Sequence, residues 1–534
     1  MGQKLFYGVP VYTMDHSKSV QEALVVDAGR IVYTGDMDEA LRLYPNSERV
    51  ELKGGCLLPG FFDTHLHLRD FSLLFTDLDL TSLRDWEEIL KMIEEVVRGK
   101  KEDEWIVGGG AEAVILDGVT RHDLDSVSPL NPVILYGRDL HSVLVNSVAL
   151  RASGIDEFRQ NPIGGTIVRD GGGKITGLLK ERAVDIVRRV KPPEKIDKLL
   201  SAIERGMGRL LKYGITGFCD CSINEPQSLL GILMRIWRNG GLHQRAVVMF
   251  GDRDAYRLGT LGVQSGFRNE FLSIGGCKFI LDGSLSSRTA YMSRPYKGGE
   301  SYGMLMMDEH ELYQVLKRSS SSFFWSAIHA IGDRANEIAL NSFERIGKEK
   351  GLPRLIRRIE HAQTLKDVDV VRFALLDVIA VVNPVHIPFD RENALRYLGE
   401  DAKLLHRLKS LYESGASLAI ASDAPAGSID PFRGIYAAVE RRDFDEGPEL
   451  RFFPKEKLSL DDAVYAYTMG GARAVGMEDK VGSIESGKYA DFIYISKDIF
   501  RNDISALKEV EVLQTWVGGE VVYEKIVDKP HIKG

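Results

Sequence analysis

Two histidines lie one residue apart in the segment LPGFFDTHLHL, which spans residues 58–68. The whole chain has 12 histidines among 534 residues, so a close pair stands out. If the apolar run from Phe61 onward is a β-strand, its side chains alternate between two faces and His65 and His67 point the same way. Two imidazoles at a strand end can bind one metal ion. A pair of surface histidines is the alternative, and this segment alone does not decide between the two.

Other polar side chains end or interrupt apolar runs further along the chain. In CKFILDG, SAIHAIGD, RRIEHAQ and SLAIASDAP these residues are Lys278, His329, His361 and Asp423. Taken singly, each has an ordinary explanation: a hydrogen-bonded core histidine, a lysine reaching solvent, or an aspartate that caps a helix. The carboxyl ends of barrel strands, however, meet at one mouth, where barrel enzymes hold their chemistry. Together with the two histidines of the first segment, these residues predict one polar cluster.

The elements that must position this cluster are eight apolar runs separated by helical patterns. The runs are GFFDTHLHL, ITGFCDCSI, QRAVVMFG, GGCKFILDG, WSAIHAIGD, RRIEHAQT, VIAVVNPVH and SLAIASDAP. Amphipathic segments such as RANEIALNSFERIGKEK lie between them, and this alternation indicates a buried parallel sheet. Eight strands predict an α/β fold with a (β/α)₈ barrel of the TIM type, which we assign to residues 58–475.

Two features depart from a plain barrel. Roughly 150 residues separate the first two barrel strands, whereas a βα unit needs about 30. We therefore interpret residues 70–195 as an inserted α+β subdomain. Residues 1–57 and 476–534 both have short strand patterns, and neither end is long enough for a stable β domain alone. Together they predict a small composite β-sandwich domain built from both chain termini.

Composition limits the classes of partner. The 69 basic and 77 acidic residues give a net charge of −8, which offers no basic surface for nucleic acid. No apolar run is long enough to span a bilayer, and the first residues lack the apolar core of a signal peptide. The few, scattered cysteines fit a reducing compartment. The sequence thus predicts a cytoplasmic protein that acts on a small molecule without a membrane or nucleic-acid partner. Whether it forms a homo-oligomer stays open.

The ordered motifs resemble those of the metal-dependent amidohydrolase superfamily, specifically its YtcJ-type branch, amidohydrolase family 3. PGFFDTHLHL is similar to the opening metal-binding motif of that superfamily. KFILDGSLSSRTA, IHAIGDRAN, IEHAQ and ASDAP are similar to the lysine, histidine and aspartate motifs that follow in the same order. VGSIESGKYADFIYI resembles the return strand to the small domain, and YGRDLHSVLVN also resembles this branch. The resemblance runs nearly from end to end.

The resemblance implies a centre of two divalent metal ions. The residues implied as ligands of the more buried ion are His65, His67 and Asp423, and those of the second ion are His329 and His361. Zinc suits imidazole and carboxylate ligands, with manganese, iron, nickel or cobalt as alternatives. The resemblance also implies that CO₂ converts Lys278 to a carbamate that bridges both ions. Glu181, in GLLKERA, is the alternative bridge or a pocket residue.

The reaction implied by the resemblance is hydrolysis of a C–N bond, in an amide or cyclic amide, by a hydroxide held between the ions. Asp423 would take the proton of the hydroxide and deliver it to the leaving nitrogen. Ester or carbamate hydrolysis, a single-metal deaminase that would not need Lys278, and a non-catalytic binding relative are the alternatives. The one G-x-S-x-G match, GESYG at residues 299–303, does not follow an apolar strand pattern, which disfavours a serine hydrolase.

His141 and Arg138, in GRDLHS, are the predicted substrate contacts. They combine a titratable donor with a fixed cation, on an insertion that we expect to cover the barrel mouth. A salt bridge within the subdomain is the alternative. The identity of the substrate does not follow from the sequence.

Overall fold

The structure is a computed structural model that describes residues 2–74, 78–81, 83–137, 141–162, 164–223 and 228–526. Within these residues the β-strands are β1 (Lys4–Tyr12), β2 (Val20–Asp27), β3 (Arg30–Gly35), β4 (Glu48–Glu51), β5 (Cys56–Pro59), β6 (Phe61–Leu66), β7 (Leu78–Asp79), β8 (Ile106–Ala111), β9 (Val133–Gly137), β10 (Ser142–Val145), β11 (Gly165–Arg169), β12 (Ile175–Glu181), β13 (Ile215–Asp220), β14 (Arg245–Phe250), β15 (Leu272–Ile280), β16 (Ser326–Ala330), β17 (Arg357–His361), β18 (Ile379–Val382), β19 (Leu418–Ile420), β20 (Phe492–Ile495), β21 (Val512–Val517) and β22 (Glu520–Glu524).

Helices alternate with these strands. The α-helices of the described residues are α1 (Met37–Leu43), α2 (Leu68–Leu73), α3 (Trp86–Val97), α4 (Ala113–Asp117), α5 (Arg121–Val127), α6 (Ser147–Ala152), α7 (Val184–Arg188), α8 (Ile196–Lys212), α9 (Leu229–Arg238), α10 (Asp252–Thr260), α11 (Glu309–Ser321), α12 (Asp333–Gly347), α13 (Asp367–Leu375), α14 (Ile387–Tyr397), α15 (Leu408–Glu413), α16 (Pro431–Glu440), α17 (Leu460–Tyr467) and α18 (Met469–Ala474). Short 3₁₀ helices are Pro384–His386, Gly399–Leu404, Pro448–Leu450, Pro454–Glu456 and Ile504–Glu509.

Eight parallel strands form the central sheet, in the order β19-β18-β17-β16-β15-β14-β13-β6. These strands lie in the eight apolar runs of the sequence, and the predicted α/β barrel sheet of the TIM type is confirmed. Its edge strands β6 and β19 meet near their carboxyl ends. There the backbone N–H of Asp423 donates to the carbonyl of His65, and that of His67 to the carbonyl of Ala424, both at 2.8 Å. The barrel is therefore nearly closed.

Burial explains why these segments adopt their structures. Strands β14 and β16 are buried along their whole length, as expected for a parallel sheet that is covered on both faces. Helix α8 buries one face, and its buried residues are Leu199, Ala202, Ile203, Gly206, Met207, Leu210 and Leu211. This spacing of three and four residues is that of an amphipathic helix. A Cβ atom on Gly206 would lie 2.1 Å from Ser72 Oγ, so the glycine lets α8 pack against α2.

A second sheet lies between β6 and β13 in the chain, in the order β11-β12-β10-β9-β8-β7. Strands β7, β8 and β9 run parallel, whereas β9, β10, β12 and β11 pair antiparallel. Its strand β12 ends at Glu181, which accepts a hydrogen bond of 2.5 Å from Thr289 Oγ1 in the loop after β15. The insertion thus contacts the carboxyl end of the barrel. Its predicted bounds, residues 70–195, stay a prediction.

The third sheet combines both ends of the chain. Its order is β22-β21-β20-β5-β1-β2-β3, and β4 pairs with β1. Strand β20 joins the two ends by pairing antiparallel with β5, with Phe492 opposite Pro59. The predicted sandwich form and the bounds 1–57, 58–475 and 476–534 stay predictions. Among the described residues, no helix has the length and apolar character needed to cross a membrane.

Candidate metal centre

The six residues predicted as metal ligands lie together at the carboxyl ends of the barrel strands. They are His65 in β6, His67 directly before α2, Lys278 in β15, His329 in β16, His361 in β17 and Asp423 after β19. The ring of His361 lies 5.1 Å from that of His65 and 4.5 Å from that of His329, measured between centroids. The barrel thus brings side chains from five of its strands and their loops into one cluster.

His65, His67 and Asp423 form the first group of donors. Asp423 Oδ1 lies 3.5 Å from Nε2 of His65 and 3.4 Å from Nε2 of His67. The three ligand atoms all lie within 4.8 Å of one another. Two imidazoles and a carboxylate are a ligand set that suits zinc.

Glu360 determines which nitrogen of His65 faces this group. His65 donates from Nδ1 to Glu360 Oε2 at 2.6 Å, because an ionised carboxylate can only accept. The lone pair of Nε2 is then directed toward Asp423. Burial raises the pKa of Glu360, but the charge of Arg358 and the hydrogen bond from His65 outweigh burial, so this pKa lies well below its usual range. Arg358 donates from Nε to Glu360 Oε1 at 2.8 Å and holds the carboxylate in place.

The protonation states of His65 and Asp423 suit metal binding. Burial and the charge of Lys278 lower the pKa of His65 to about 4. Burial raises the pKa of Asp423, but the hydrogen bond with His67 and the charges of His65 and His361 outweigh it and place this pKa well below its usual value. At neutral pH His65 is therefore neutral and Asp423 ionised, as ligands must be.

His329 and His361 form a second group of donors. His361 Nε2 lies 3.0 Å from His329 Nδ1. The Nδ1 of His361 donates to Asn383 Oδ1 at 2.9 Å, because the Nδ2 of Asn383 already donates to the carbonyl of Ala421. The Nε2 of His329 donates to the carbonyl of Gly283 at 3.3 Å. The two nitrogens that face each other therefore both present lone pairs.

Two lone pairs at this distance repel each other unless a cation lies between them. Burial, with the nearby His361 and His141, lowers the pKa of His329 well below its usual value. Burial also lowers the pKa of His361 well below its usual value, so neither ring is expected to gain a second proton at neutral pH. A transition-metal ion that binds both nitrogens removes the repulsion, and imidazole is a ligand that zinc and its neighbours accept. The residues present thus fit a metal ion at this second position.

Lys278 faces both groups. Its Nζ lies 3.3 Å from His65 Nε2, and the residue is only 4% exposed. Its charge acts on the imidazoles of His65, His329 and His361. Lys278 is therefore not a lysine that extends to solvent, because its amino group lies inside the cluster.

His141 lies at the edge of the centre, on the insertion. Its ring centroid is 5.4 Å from that of His329, and its Nδ1 donates to Glu181 Oε2 at 2.8 Å. The other carboxylate oxygen of Glu181 accepts from Thr289. With both oxygens engaged, Glu181 is better described as a pocket residue that orients His141 than as a bridge between ions. Arg138 lies outside the described residues.

His361, Asp423 and Glu181 each have a left-handed backbone conformation. The φ angles are 72° at His361, 58° at Asp423 and 54° at Glu181. Non-glycine residues adopt this conformation rarely, and it costs about 1–3 kcal/mol. Such strain is concentrated at functional sites, and here it sets the direction of two predicted ligands and of the partner of His141.

Sequence reasoning missed the residues that orient the ligands. Arg358 and Glu360 left a signal in RRIEH, because two charged residues at alternate positions of a buried strand share one face. His386 left a weaker signal, a histidine at the end of the seventh apolar run, and its Nε2 lies 3.9 Å from Asp423 Oδ2. Asn383, in the same run, is an amide with no pattern of its own.

Comparison with known proteins identifies the family of this chain. A family model described as “Amidohydrolase family” matches residues 48–523. “Putative amidohydrolase YtcJ” of Bacillus subtilis (strain 168) is 31% identical, over 98% of this chain and 99% of that protein. “Protein LONG AFTER FAR-RED 3” of Arabidopsis thaliana is 31% identical, over 96% of this chain and 90% of that protein. “N-substituted formamide deformylase” of Arthrobacter pascens is 27% identical, over 96% of this chain and 97% of that protein.

Among solved structures, an uncharacterized metal-dependent hydrolase from Pyrococcus horikoshii OT3 is similar to this chain. It has a TM-score of 0.77 and 28% sequence identity, and the match covers 94% of this chain and 99% of that one. The chain therefore belongs to the amidohydrolase family, and it is a hydrolase whose family implies a divalent metal ion.

Proposed function

We propose that this protein hydrolyses a C–N bond, in an amide or cyclic amide, with two divalent cations. The observation that carries this proposal is the pair of imidazole nitrogens His329 Nδ1 and His361 Nε2, which face each other 3.0 Å apart. A second, separate group of donors lies beside it, at Asp423 Oδ1. Two groups support two ions, which favours this proposal over a single-metal deaminase. One relative is an N-substituted formamide deformylase, and a formamide contains a C–N bond of this kind.

Each of the two donor groups would bind one of the ions. His65, His67 and Asp423 would bind one, His329 and His361 the other, with zinc the ion that best suits these ligands. When bound, divalent cations polarise a carbonyl oxygen and lower the pKa of a water molecule. We further propose that Lys278 reacts with CO₂ to form a carbamate. This change would replace a positive charge by an anion beside His65 Nε2 and remove the repulsion between an ammonium group and the cations.

Asp423 is the residue that moves the proton in this proposal. Its low pKa keeps the carboxylate ionised before the reaction, so it can accept a proton from the attacking water. It would then deliver this proton to the leaving nitrogen, which departs as a neutral amine. His141 and Arg138, on the insertion, would contact the substrate, and the position of the His141 ring beside His329 supports the first of these roles.

A substrate panel with zinc-loaded protein tests the proposal. The panel contains N-acyl amines, N-substituted formamides, cyclic amides and the matching esters, and zinc is counted by elemental analysis. We expect about two zinc ions per chain and a higher kcat/KM for at least one amide than for its ester. Ester-only cleavage would favour the ester hydrolase, full activity with one ion would favour the single-metal enzyme, and activity without metal would overturn the proposal.

A further inference from the structure

Strand β18 contains none of the predicted ligands, yet the segment directly after it contacts two of them. This segment is residues 383–386, the end of the seventh apolar run. Asn383 accepts from His361 Nδ1 and thereby directs the lone pair of His361 Nε2 toward His329. His386 lies three residues later, and its Nε2 is 3.9 Å from Asp423 Oδ2. One short segment thus faces a ligand from each donor group.

The two carboxylate oxygens of Asp423 face different partners. Oδ1 lies on the side of His65 and His67, at 3.5 and 3.4 Å from their Nε2 atoms. Oδ2 lies on the side of His386. The Nε2 of His386 is buried and has no hydrogen-bond partner among the described residues. A buried polar atom without a partner is unfavourable, and Asp423 Oδ2 is an acceptor close to it.

A glycine leaves room for this imidazole. A Cβ atom at Gly427 would lie 2.2 Å from the carbonyl oxygen of Ser422 and 3.0 Å from His386 Nε2. Any larger residue would therefore press on the backbone beside Asp423 and on the ring. The remaining gap is small, because an approach of about 1 Å brings Nε2 and Oδ2 to hydrogen-bond distance. Hydrogen bonds in active sites are often long before the ligands bind and then tighten.

We propose that His386 is a positioning residue for Asp423. Its Nε2–H donates to Oδ2, which keeps Oδ1 on the side of His65 and His67. Because this bond holds Oδ2, it leaves Oδ1 as the carboxylate oxygen that can exchange the proton. This inference rests on the proposed function, because it assigns Asp423 the part of ligand and proton acceptor. Residues that orient a metal ligand in this way typically change metal affinity or activity 10- to 100-fold when replaced.

Paired substitutions of His386 test this role. In His386→Gln the amide nitrogen reaches about as far as Nε2, whereas in His386→Asn the shorter side chain cannot reach Oδ2. Both variants keep a polar side chain, so we do not expect only one of them to fail to fold. His310→Leu, which replaces an exposed histidine, is the control. The first measurement is zinc affinity, by competition with a chromophoric chelator, and it requires no substrate. The second is kcat and KM on the best amide of the panel.

We expect His386→Asn to lose zinc about tenfold more readily than the unsubstituted protein, with kcat lowered about tenfold or more and KM nearly unchanged. His386→Gln and His310→Leu should stay within about threefold of the unsubstituted protein. If His386→Asn matches His386→Gln in both measurements, the positioning role is wrong although the proposed function stands. If the unsubstituted protein takes up neither zinc nor another divalent transition-metal ion, the proposed function fails and the role of His386 fails with it.

Discussion

Asp423 combines two tasks at the residue scale, because the same carboxylate is expected to bind a cation and to move a proton. Replacement by asparagine keeps the shape and one coordinating oxygen but removes the proton acceptor. We expect Asp423→Asn to fold normally, to retain at least one metal ion, and to lose at least about 100-fold in kcat, as is typical when general acid–base catalysis is lost. Steady-state kinetics and elemental analysis on the same preparation measure both effects. A variant with both ions bound and most of its kcat would show that the proton takes another path.

Lys278 provides an independent check of the bridging group. Lys278→Ala removes the side chain whose Nζ lies 3.3 Å from His65 Nε2 and leaves a space beside the centre. We expect weaker zinc binding and loss of activity, with partial recovery when acetate or another short carboxylic acid is added, because a free carboxylate can take the place of a carbamate. Activity is measured against carboxylate concentration, with the unsubstituted protein as control. A high-resolution map with an unmodified Lys278 that points away from bound metal ions would contradict the carbamate.

At the scale of elements, strand β17 links the barrel interior to the centre. Arg358 and Glu360 point inward from alternate positions, both fully buried, and Glu360 accepts from His65. Glu360→Gln leaves the guanidinium without its counter-charge, which typically destabilises by about 3–5 kcal/mol. It also loosens His65, so zinc affinity should fall about 10- to 100-fold.

Urea unfolding and chelator competition measure the two effects of Glu360→Gln. Glu413→Gln is the control, because Glu413 pairs on the surface with Lys409 and is itself 64% exposed. Such a pair contributes at most about 1 kcal/mol. Equal stability losses in the two variants would mean that the buried pair of Arg358 and Glu360 stabilises the protein no more than an exposed pair does.

The insertion contributes a second testable role, because it places His141 beside the predicted ligands of the barrel. His141→Ala should raise KM or lower kcat while the metal content stays unchanged, since His141 contacts Glu181 and the ring of His329 but is not a predicted ligand. His122→Ala is the matched control, at a histidine of the same insertion whose side chain is 71% exposed. Unchanged kinetics would remove His141 from the substrate contacts.

The sequence predicts the strands and the candidate ligands better than it predicts the residues that orient those candidates. The barrel strands are near-continuous apolar runs, and His329, His361 and Asp423 stand where those runs end, so local pattern is enough to find them. Glu360 contacts His65, which is 295 residues away in the chain, and only the folding of the barrel brings the two together. The proposed role of His386 cannot be predicted from local sequence either, because it depends on the space at Gly427 and on the direction of the Asp423 carboxylate.

For the whole molecule, the chain ends and the barrel are joined by a buried ion pair. Arg245, at the start of β14, donates from Nε and Nη2 to the carboxylate of Asp491, both at 2.8 Å. Both side chains are about 1% exposed. Asp491 also accepts from the backbone N–H of Gly518. The carboxyl-terminal segment is thereby attached to the barrel as well as to the amino-terminal strands, and the stability of the two parts should be coupled.

Asp491→Asn tests this coupling, because it leaves the buried Arg245 guanidinium with only the half-exposed Glu270, 3.6 Å away, as a charge partner. We expect a loss of about 3–5 kcal/mol in the free energy of unfolding, whereas the double variant Arg245→Met with Asp491→Leu should regain most of it, since apolar residues of similar size pack without an unpaired charge. Glu94→Gln, which breaks an exposed pair with Arg98, should change stability by less than about 1 kcal/mol. Amide hydrogen exchange locates the effect. In Asp491→Asn it should become faster in both β14 and β20, because the lost charge pair joined the two sheets, and faster exchange in β20 alone would mean that the terminal sheet opens independently of the barrel.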